Sequence, residues 1–196
     1  MFPFFETIRY INGIAENLFF HQLRIDNTLL QLNGNKSIQL LTVITSQTNK
    51  PSIDNLVYKC RVKYNIEGDT LVTFEPYSIK EIKSLSIKDI GDNNYNFKYT
   101  NRDWLISMLK ESHSDEIILT QKGLVKDATY ANLAFYDGVH WITPDKPLLY
   151  GTRRAQLLTE GIIIEQPIHI HDLSRFKYVK LINAMMRWEE SPMIVI

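Results

Sequence analysis

Residues 124–135 read LVKDATYANLAF, and the interpretation of the rest of the chain depends on this stretch. The acidic residue Asp127 is followed by small residues and then by Asn132, which leads directly into an apolar run. An acid and an amide ahead of a strand are also found at ordinary turns, where they cap the backbone. The stretch therefore predicts a strand over residues 130–136, and its function depends on the segments around it.

Two flanking segments carry complementary chemistry. Upstream, residues 96–102 read NFKYTNR and place Lys98 just before a predicted helix. Downstream, residues 147–154 read PLLYGTRR, and Gly151 with Thr152 begins a second predicted helix, whose free N–H groups and positive dipole end suit a phosphate. An amine, a carboxylate and a phosphate cradle are the groups that pyridoxal phosphate (PLP) requires of a protein.

The bulk composition excludes several classes of protein. The 196 residues include 22 basic and 22 acidic side chains, so the formal charge is zero, which argues against nucleic-acid binding. Cys60 is the single cysteine, so no intrachain disulfide can form and a reducing compartment is expected. No apolar run approaches the roughly 20 residues of a membrane helix, and the N-terminal pattern is not that of a signal peptide. We expect a soluble cytoplasmic protein without nucleic-acid or membrane partners.

The first part of the chain, residues 1–82, is predicted to be a small α+β domain. A strand is expected over residues 4–10, then a helix over 17–32, and strands over 56–64 and 70–77. Between these, a helix over 37–48 would begin at Ser37 as its N-cap. The apolar stripe of the first helix is predicted to contain Leu18, Leu23, Ile25, Leu29 and Leu30.

The second part, residues 83–196, is predicted to be rich in strands. An apolar alternation over 82–90 indicates its first strand, and a helix follows over 101–112. Further strands are expected over 116–120, 130–136, 141–142, 162–169 and 179–185, with a helix over 152–160 and a turn from Asp172.

In their order and spacing these motifs resemble the class IV, or fold-type IV, PLP enzymes. That family includes branched-chain and D-amino-acid aminotransferases and 4-amino-4-deoxychorismate lyase. The resemblance extends to residues 5–9 (FETIR), Asn12-Gly13, 21–24 (HQLR) and 181–185 (LINAM). It implies a two-domain α+β fold with a small N-terminal α/β sandwich, a mainly β C-terminal domain, PLP between them and a homodimer. The chain resembles the lyase most, in a short form without the usual N-terminal hairpin.

The resemblance also implies roles for individual residues. Lys98 corresponds to the Schiff-base lysine, whose amine must be neutral near pH 7. Asp127 corresponds to the acid that pairs with the pyridine nitrogen, where the family usually has Glu. The resemblance further implies that Arg24 contacts the phosphate and that Arg102 contacts the phenolic oxygen of the cofactor ring. Further cofactor contacts are implied for Asn132, Gly151, Thr152, Arg153, Asn183 and Ala184. Weaker substrate candidates are Thr7, Arg9 and Tyr130, with Arg61 as a further cation for substrate carboxylates.

Three functions remain open from the sequence. The lyase would release pyruvate and 4-aminobenzoate for folate synthesis, whereas an aminotransferase would use the same lysine with a keto acid. The run from Asp127 to Asn132 differs from the Glu-Gly-x-Gly-Glu-Asn of branched-chain enzymes and favours the lyase. The short form also leaves open a PLP-binding homologue without turnover.

Two other features are predicted to be structural. His169 and His171 alternate along a predicted strand and would share one face, but a third metal ligand is not evident, so no metal site is expected. Cys60 lies in a β run and is expected to be buried.

Overall fold

The computed structural model describes residues 1–34 and 36–196, and these form two compact units. The first unit comprises Met1–Ile79 and Phe97–Asn101, and the second comprises Lys80–Asn96 and Arg102–Ile196. The predicted domain boundary after residue 82 stays a prediction. The structure places the short segment that contains Lys98 in the first unit.

The first unit is an antiparallel sheet with helices against one face. Its elements are β1 (Phe4–Ile11), β2 (Ile14–Ala15), α1 (Leu18–Gln31), α2 (Leu40–Thr45), β3 (Val57–Tyr64) and β4 (Thr70–Pro76), and the strand order is β2-β1-β3-β4. Because side chains alternate across a strand, Ile8, Cys60 and Val62 lie in the core with the helix residues Ile25 and Leu40. Burial raises the pKa of Cys60 to about 12, consistent with the predicted buried thiol.

Two details of the helices differ from prediction. The second helix begins at Leu40 and not at Ser37, because the side chain of Gln22 on α1 accepts the Leu40 N–H (2.9 Å) and so caps α2 from outside. The predicted apolar stripe of α1 is wrong at Leu23 and Leu30, which are exposed. The buried side of α1 instead carries His21, Ile25, Thr28 and Leu29.

The segment around Lys98 is fixed to the start of β1. The Phe5 N–H donates to the Lys98 carbonyl (3.1 Å), and the Thr100 N–H donates to the Pro3 carbonyl (2.7 Å). The rings of Phe97 and Tyr99 pack against Phe4, with centroids 6.0 and 5.5 Å away. The two neighbours of Lys98 are therefore anchored in the core of the first unit.

The second unit contains two sheets. Its elements are β5 (Leu85–Asp89), α3 (Asp103–Ser112), β6 (Glu116–Gln121), β7 (Leu124–Val125), β8 (Asn132–Tyr136), β9 (Trp141–Pro144), α4 (Thr152–Thr159), β10 (Ile164–Gln166), a 3-10 helix (Ile170–Arg175), β11 (Tyr178–Ile182) and β12 (Met193–Val195). One sheet has the order β10-β9-β8-β11-β12 and the other the order β5-β6-β7. Leu133, Phe135, Val179 and Leu181 are fully buried in its core. The α+β architecture agrees with the predicted fold class.

The strand predicted over residues 162–169 is shorter than expected. β10 ends at Gln166 because Pro167 follows, and proline has no N–H to donate to a neighbouring strand. His169 is the N-cap of the 3-10 helix, and its backbone N–H donates to the Asp172 carboxylate (3.0 Å). The predicted strand face shared by His169 and His171 is therefore wrong.

Two features are absent from residues 1–34 and 36–196. No group of three or more His, Cys, Asp or Glu side chains is arranged to hold a metal ion. No helix there has the length and apolar character needed to cross a membrane.

Candidate active site

Lys98 and Arg61 contact the same aromatic ring, that of Phe5, on the face of the first sheet opposite α1 and α2. The Lys98 Nζ is 4.8 Å from the centroid of the Phe5 ring, and the guanidinium carbon of Arg61 is 5.2 Å from the same centroid. Aromatic faces attract cations, so one ring helps to hold both charges. The candidate Schiff-base lysine thus has the aromatic and cationic surroundings that its chemistry requires, with Arg61 as the second cation.

The same face of the sheet is positively charged. Lys59, Arg61 and Lys63 alternate along β3, and the one acid opposite them on β4 is Glu75, whose carboxylate is 2.7 Å from Lys59. The hydrogen bond and charge of Lys59, with the charges of Arg61 and Lys63, lower the pKa of Glu75. The face therefore carries an excess of positive charge next to Lys98.

The weaker substrate candidates on β1 differ in their surroundings. Thr7 is half-buried and pairs with Arg61 in the sheet register. Arg9 is buried, and its Nε lies 3.3 Å from the carboxylate of Glu16. Since Glu16 already balances Arg9, Thr7 and Arg61 are the better placed of these residues to meet a ligand.

Arg24 belongs to a buried cluster with Glu6 and His21 behind the sheet. Its Nε and Nη2 donate to the two oxygens of Glu6 at 2.8 and 2.5 Å, and the His21 Nδ1 lies 2.5 Å from the same carboxylate. Burial works to raise the pKa of Glu6, but the charge of Arg24 and the hydrogen bonds outweigh it and lower the pKa to about 2. Burial lowers the pKa of His21, so a neutral imidazole donates its Nδ1–H to an ionised Glu6.

Glu6 and His21 lie in the motifs FETIR and HQLR, but the sequence alone assigned neither of them a role. A signal was present: Glu6 shares its strand face with Phe4 and Ile8, so it had to point into the core. A buried carboxylate requires a cation and hydrogen bonds, and His21 and Arg24 lie three residues apart on one side of the helix. The predicted phosphate role of Arg24 stays a prediction, and the structure shows that Glu6 orients it.

Asp127 is the centre of a second buried cluster, in the second unit. Its Oδ1 accepts a hydrogen bond from the Asn132 amide (2.7 Å), and its Oδ2 accepts one from the Leu149 N–H (2.9 Å). Burial raises the pKa of Asp127 to about 6, against the hydrogen bonds and the Arg154 charge, which lower it. A buried carboxylate that takes up or releases a proton near neutral pH fits a protonated pyridine nitrogen as its partner.

The start of α4 adjoins Asn132. Gly151 is the N-cap and Thr152, the first helical residue, is buried. A Cβ at Gly151 would overlap the Asn132 Oδ1. The backbone at position 151 therefore lies so close to the Asn132 amide that only glycine fits there. The helix begins TRRA and has no acid in its first turn, so its positive end suits a phosphate.

Two arginines follow in the first turn of α4. Arg153 is buried, and its Nη1 donates to the Gln156 side chain (2.7 Å). Arg154 donates to Glu165 (2.6 Å) and to the Pro144 carbonyl (2.7 Å), which fixes it to β9 and β10. Arg154 thus has a carboxylate partner, and Arg153 adds positive charge near the predicted phosphate cradle.

Arg102 and Tyr130 lie around the turn that carries Asp127. The guanidinium of Arg102 donates to the Thr129 carbonyl. The fully buried Glu116 accepts hydrogen bonds from the Thr129 N–H (2.9 Å) and hydroxyl (2.8 Å). Tyr130 is half-buried on the same turn. Arg102 therefore stabilises this turn, and its predicted contact with the cofactor ring stays a prediction.

Asn183 and Ala184 form a turn directly after β11. Ile182, the last residue of β11, pairs with Asn132 at the start of β8. The Asn183 side chain accepts the Met185 N–H (2.8 Å), which shapes the turn. The pairing of β11 with β8 therefore brings Asn183 and Ala184 to the same end of these strands as Asn132.

The predicted residues fall into two groups. Lys98, Arg24, Thr7 and Arg9 belong to the first unit. The second unit holds Arg102, Asp127, Tyr130, Asn132, Gly151, Thr152, Arg153, Asn183 and Ala184. Each unit also contains a buried carboxylate with defined partners, Glu6 in the first and Asp127 in the second.

Comparison with known proteins identifies the family. The family model described as amino-transferase class IV matches residues 3–189, and the chain belongs to this family. An uncharacterized protein of Haemophilus influenzae is 33% identical over 186 residues, which span 94% of this chain and 98% of that protein.

Solved structures agree with this assignment. The structure of a proposed 4-amino-4-deoxychorismate lyase from Haemophilus somnus is 35% identical, with a TM-score of 0.87 over 94% of this chain and 97% of that one. A proposed amino-acid aminotransferase from Mesorhizobium loti shares the fold, with a TM-score of 0.80 at 21% identity over 97% of both chains. The PLP-bound form of a hypothetical aminotransferase from Mycobacterium tuberculosis has a TM-score of 0.69 at 12% identity, covering 98% of this chain and 80% of that one. The fold is therefore that of the fold-type IV aminotransferases.

Proposed function

We propose that this protein is a PLP-dependent 4-amino-4-deoxychorismate lyase, which releases pyruvate and 4-aminobenzoate for folate synthesis. The observation that carries the proposal is the buried Asp127, whose pKa of about 6 suits a pyridine nitrogen as its partner. The 35% identity to a proposed lyase of almost the same extent supports the reaction type.

The proposal gives each group a defined role. PLP, when bound, supplies an aldehyde that condenses with amines and a protonated ring that takes up an electron pair. Lys98 would hold the aldehyde covalently until the substrate amine displaces it. The freed Lys98 amine would then take the proton from the substrate ring carbon that bears the nitrogen, and it would return a proton as pyruvate leaves. Asp127 keeps the proton on the ring nitrogen, and the start of α4 with Thr152 and Arg153 holds the phosphate.

The charge around Lys98 supports a carboxylated substrate. Arg61 shares the Phe5 ring with Lys98, and Lys59 and Lys63 lie on the same strand face. Positive potential raises the local concentration of anions and steers them to the surface. Aminodeoxychorismate carries carboxylates as well as the amine, so it matches both features of this face.

An aminotransferase for branched-chain or D-amino acids is the second candidate. The family description and the fold shared with a proposed amino-acid aminotransferase favour it. It would use the same lysine, carboxylate and phosphate cradle, and it differs from the lyase in needing a keto acid. A homologue that binds PLP without turnover is the third candidate.

The experiment that separates the candidates mixes the PLP-loaded protein with each amine donor alone. The lyase releases pyruvate and 4-aminobenzoate from aminodeoxychorismate over many turnovers without a keto acid, because Lys98 recovers the aldehyde each time. Lys98→Ala is the inactive control. Conversion of the cofactor to pyridoxamine phosphate by glutamate, leucine or D-alanine, without pyruvate from aminodeoxychorismate, would transfer the assignment to the aminotransferase. Tight PLP binding with no reaction toward any donor would support the non-catalytic homologue.

A homodimer is part of the proposal. The helix α1 exposes Phe19, Leu23 and Leu30 at spacings of four and seven residues, which puts them along one side of the helix. Apolar side chains in such a row are covered in many dimers of soluble proteins.

A further inference from the structure

The side chain of Asn132 joins three parts of the second unit. Its Nδ2 donates to the Asp127 carboxylate (2.7 Å) and to the Leu149 carbonyl (2.8 Å). The Leu149 N–H donates to the other oxygen of Asp127 (2.9 Å), so three groups close a ring of hydrogen bonds. Asn132 and Asp127 are both buried, and water does not compete for these contacts.

The third part is Gly151, which is required to be glycine by space alone. Its φ of −72° and ψ of 142° are values that any residue adopts, so backbone strain does not explain it. A Cβ at this position would overlap the Asn132 Oδ1 and lie 3.1 Å from its Cγ. The amide has no free rotation to move away, because both hydrogens of Nδ2 are used by Asp127 and Leu149.

We propose that Asn132 is a positioning residue that locks the Asp127 carboxylate and the start of α4 into one geometry. In this arrangement Asn132 acts through Asp127 and Gly151 instead of touching the cofactor. The roles of Asp127 at the ring nitrogen and of α4 at the phosphate rest on the proposed function. The lock between Asn132 and Gly151 does not, and it is testable in the protein without PLP.

The packing test is a double-mutant cycle on the PLP-free protein. Gly151→Ala forces the Asn132 amide out of place and lowers the melting temperature by roughly 3–10 °C. Asn132→Ser removes the overlapping atom. In the Asn132→Ser background, Gly151→Ala should therefore lower the melting temperature by less than half as much as it does in the wild type. The matched control is Asn65→Ser, which removes a buried amide that donates to the Asp69 carboxylate (2.9 Å) in the first unit. Its effect adds to that of Gly151→Ala. The proposal would be overturned if Gly151→Ala lowered the melting temperature equally, and additively, when combined with Asn132→Ser and when combined with Asn65→Ser.

The second test distinguishes positioning from simple space filling. Arg154 is the charged group that acts on Asp127, and its guanidinium is held by Glu165 and the Pro144 carbonyl. The ammonium of Lys126, the residue before Asp127, is held by the Lys146 carbonyl (3.0 Å), so none of these contacts involves Asn132. Loss of the Asn132 donor raises the pKa of Asp127 further, so the melting temperature of Asn132→Ser falls over a higher pH range than that of the wild type. In Asp127→Asn this fall is absent with or without Asn132→Ser.

PLP affinity supplies the link to function. Asn132→Ser weakens PLP binding by about 10- to 100-fold, as expected when a charge-assisted contact is lost behind a ligand-binding carboxylate. An unchanged pH profile together with unchanged PLP affinity would reduce Asn132 to a packing residue and overturn the proposal. That result would not overturn the proposed function, which is tested separately by PLP binding to Lys98 in the wild type. If Gly151→Ala does not fold, the pH profile of Asn132→Ser decides alone.

Discussion

The two buried carboxylates of this protein, Glu6 and Asp127, are held in opposite ways. Glu6 is paired with the charged Arg24 and with His21, and its pKa is lowered to about 2. Asp127 receives hydrogen bonds from neutral groups, the Asn132 amide and the Leu149 N–H, and burial raises its pKa to about 6. Both carboxylates are buried, so the difference comes from their partners.

This difference separates a permanent charge from one that responds to a ligand. Glu6 stays ionised at every physiological pH and orients Arg24, which makes it a fixed support. Asp127 is ionised only against the cost of burial, so a cation that arrives beside it is strongly favoured. A protonated pyridine nitrogen is such a cation, and we therefore propose it as the partner of Asp127.

Replacing each carboxylate by its amide should give the largest effects and separate the two roles. Glu6→Gln leaves Arg24 charged without its partner and should lower the free energy of unfolding by roughly 3–5 kcal/mol. The pH profiles should also differ in sign. The folded pKa of Glu6 is below its ordinary 4.5, so its stabilisation is present above pH 4.5 and is lost as the pH falls toward 2. For Asp127 the folded pKa is above the ordinary 3.8, so stability is greatest below pH 3.8 and declines as the pH rises through 6.

Chemical unfolding of the PLP-free protein at a series of pH values measures both effects. Glu6→Gln should lack the loss below pH 4.5, and Asp127→Asn should lack the decline toward pH 6, each of the order of 3 kcal/mol. A Glu6→Gln variant that is destabilised by less than about 1 kcal/mol would break the comparison, because Arg24 would then not depend on Glu6. The decline toward pH 6 surviving in Asp127→Asn would mean that another group titrates there.

The sequence predicted the elements whose signals are local. β1, α1 and α4 lie where the alternation, the helical spacing and the Gly-Thr start placed them, since these patterns depend on neighbouring residues. The start of α2 was misplaced because its cap comes from Gln22 on another helix. Leu23 and Leu30 were assigned to the core by hydropathy, but Glu6 draws His21 and Arg24 toward the sheet and turns those leucines outward.

Only part of the candidate site could be predicted from local sequence patterns. Lys98, Asp127 and Gly151 stand in motifs with a recognisable order. The cofactor role of Asn132 stays a prediction, and its contacts with Asp127 and Leu149 arise from tertiary packing. Contacts of this kind have no signature in one sequence, because the partners are separated by turns of variable length.

Substitutions at the predicted phosphate contacts should have a smaller effect, and they test whether Arg24 binds the cofactor as well as Glu6. Arg24→Ala and Thr152→Ala should each weaken PLP binding by about 1.5–3 kcal/mol while leaving the affinity for pyridoxal, which lacks the phosphate, nearly unchanged. Titration of the PLP-free variants with both ligands measures the ratio. Thr159→Ala, at the exposed C-terminal end of α4, is the matched control. If Arg24→Ala lowers stability but leaves the ratio of the two affinities unchanged, Arg24 serves Glu6 alone.

The central claim is that Lys98 carries the cofactor, and one measurement tests it directly. The wild-type protein is loaded with PLP, treated with borohydride to fix the covalent link, digested and mapped by mass spectrometry. We expect a single modified lysine, Lys98, and loss of the yellow colour of the loaded protein on reduction, with no modified peptide from Lys98→Ala. A label on a different lysine such as Lys126 or Lys180, or no covalent uptake of PLP by the wild type, would contradict it.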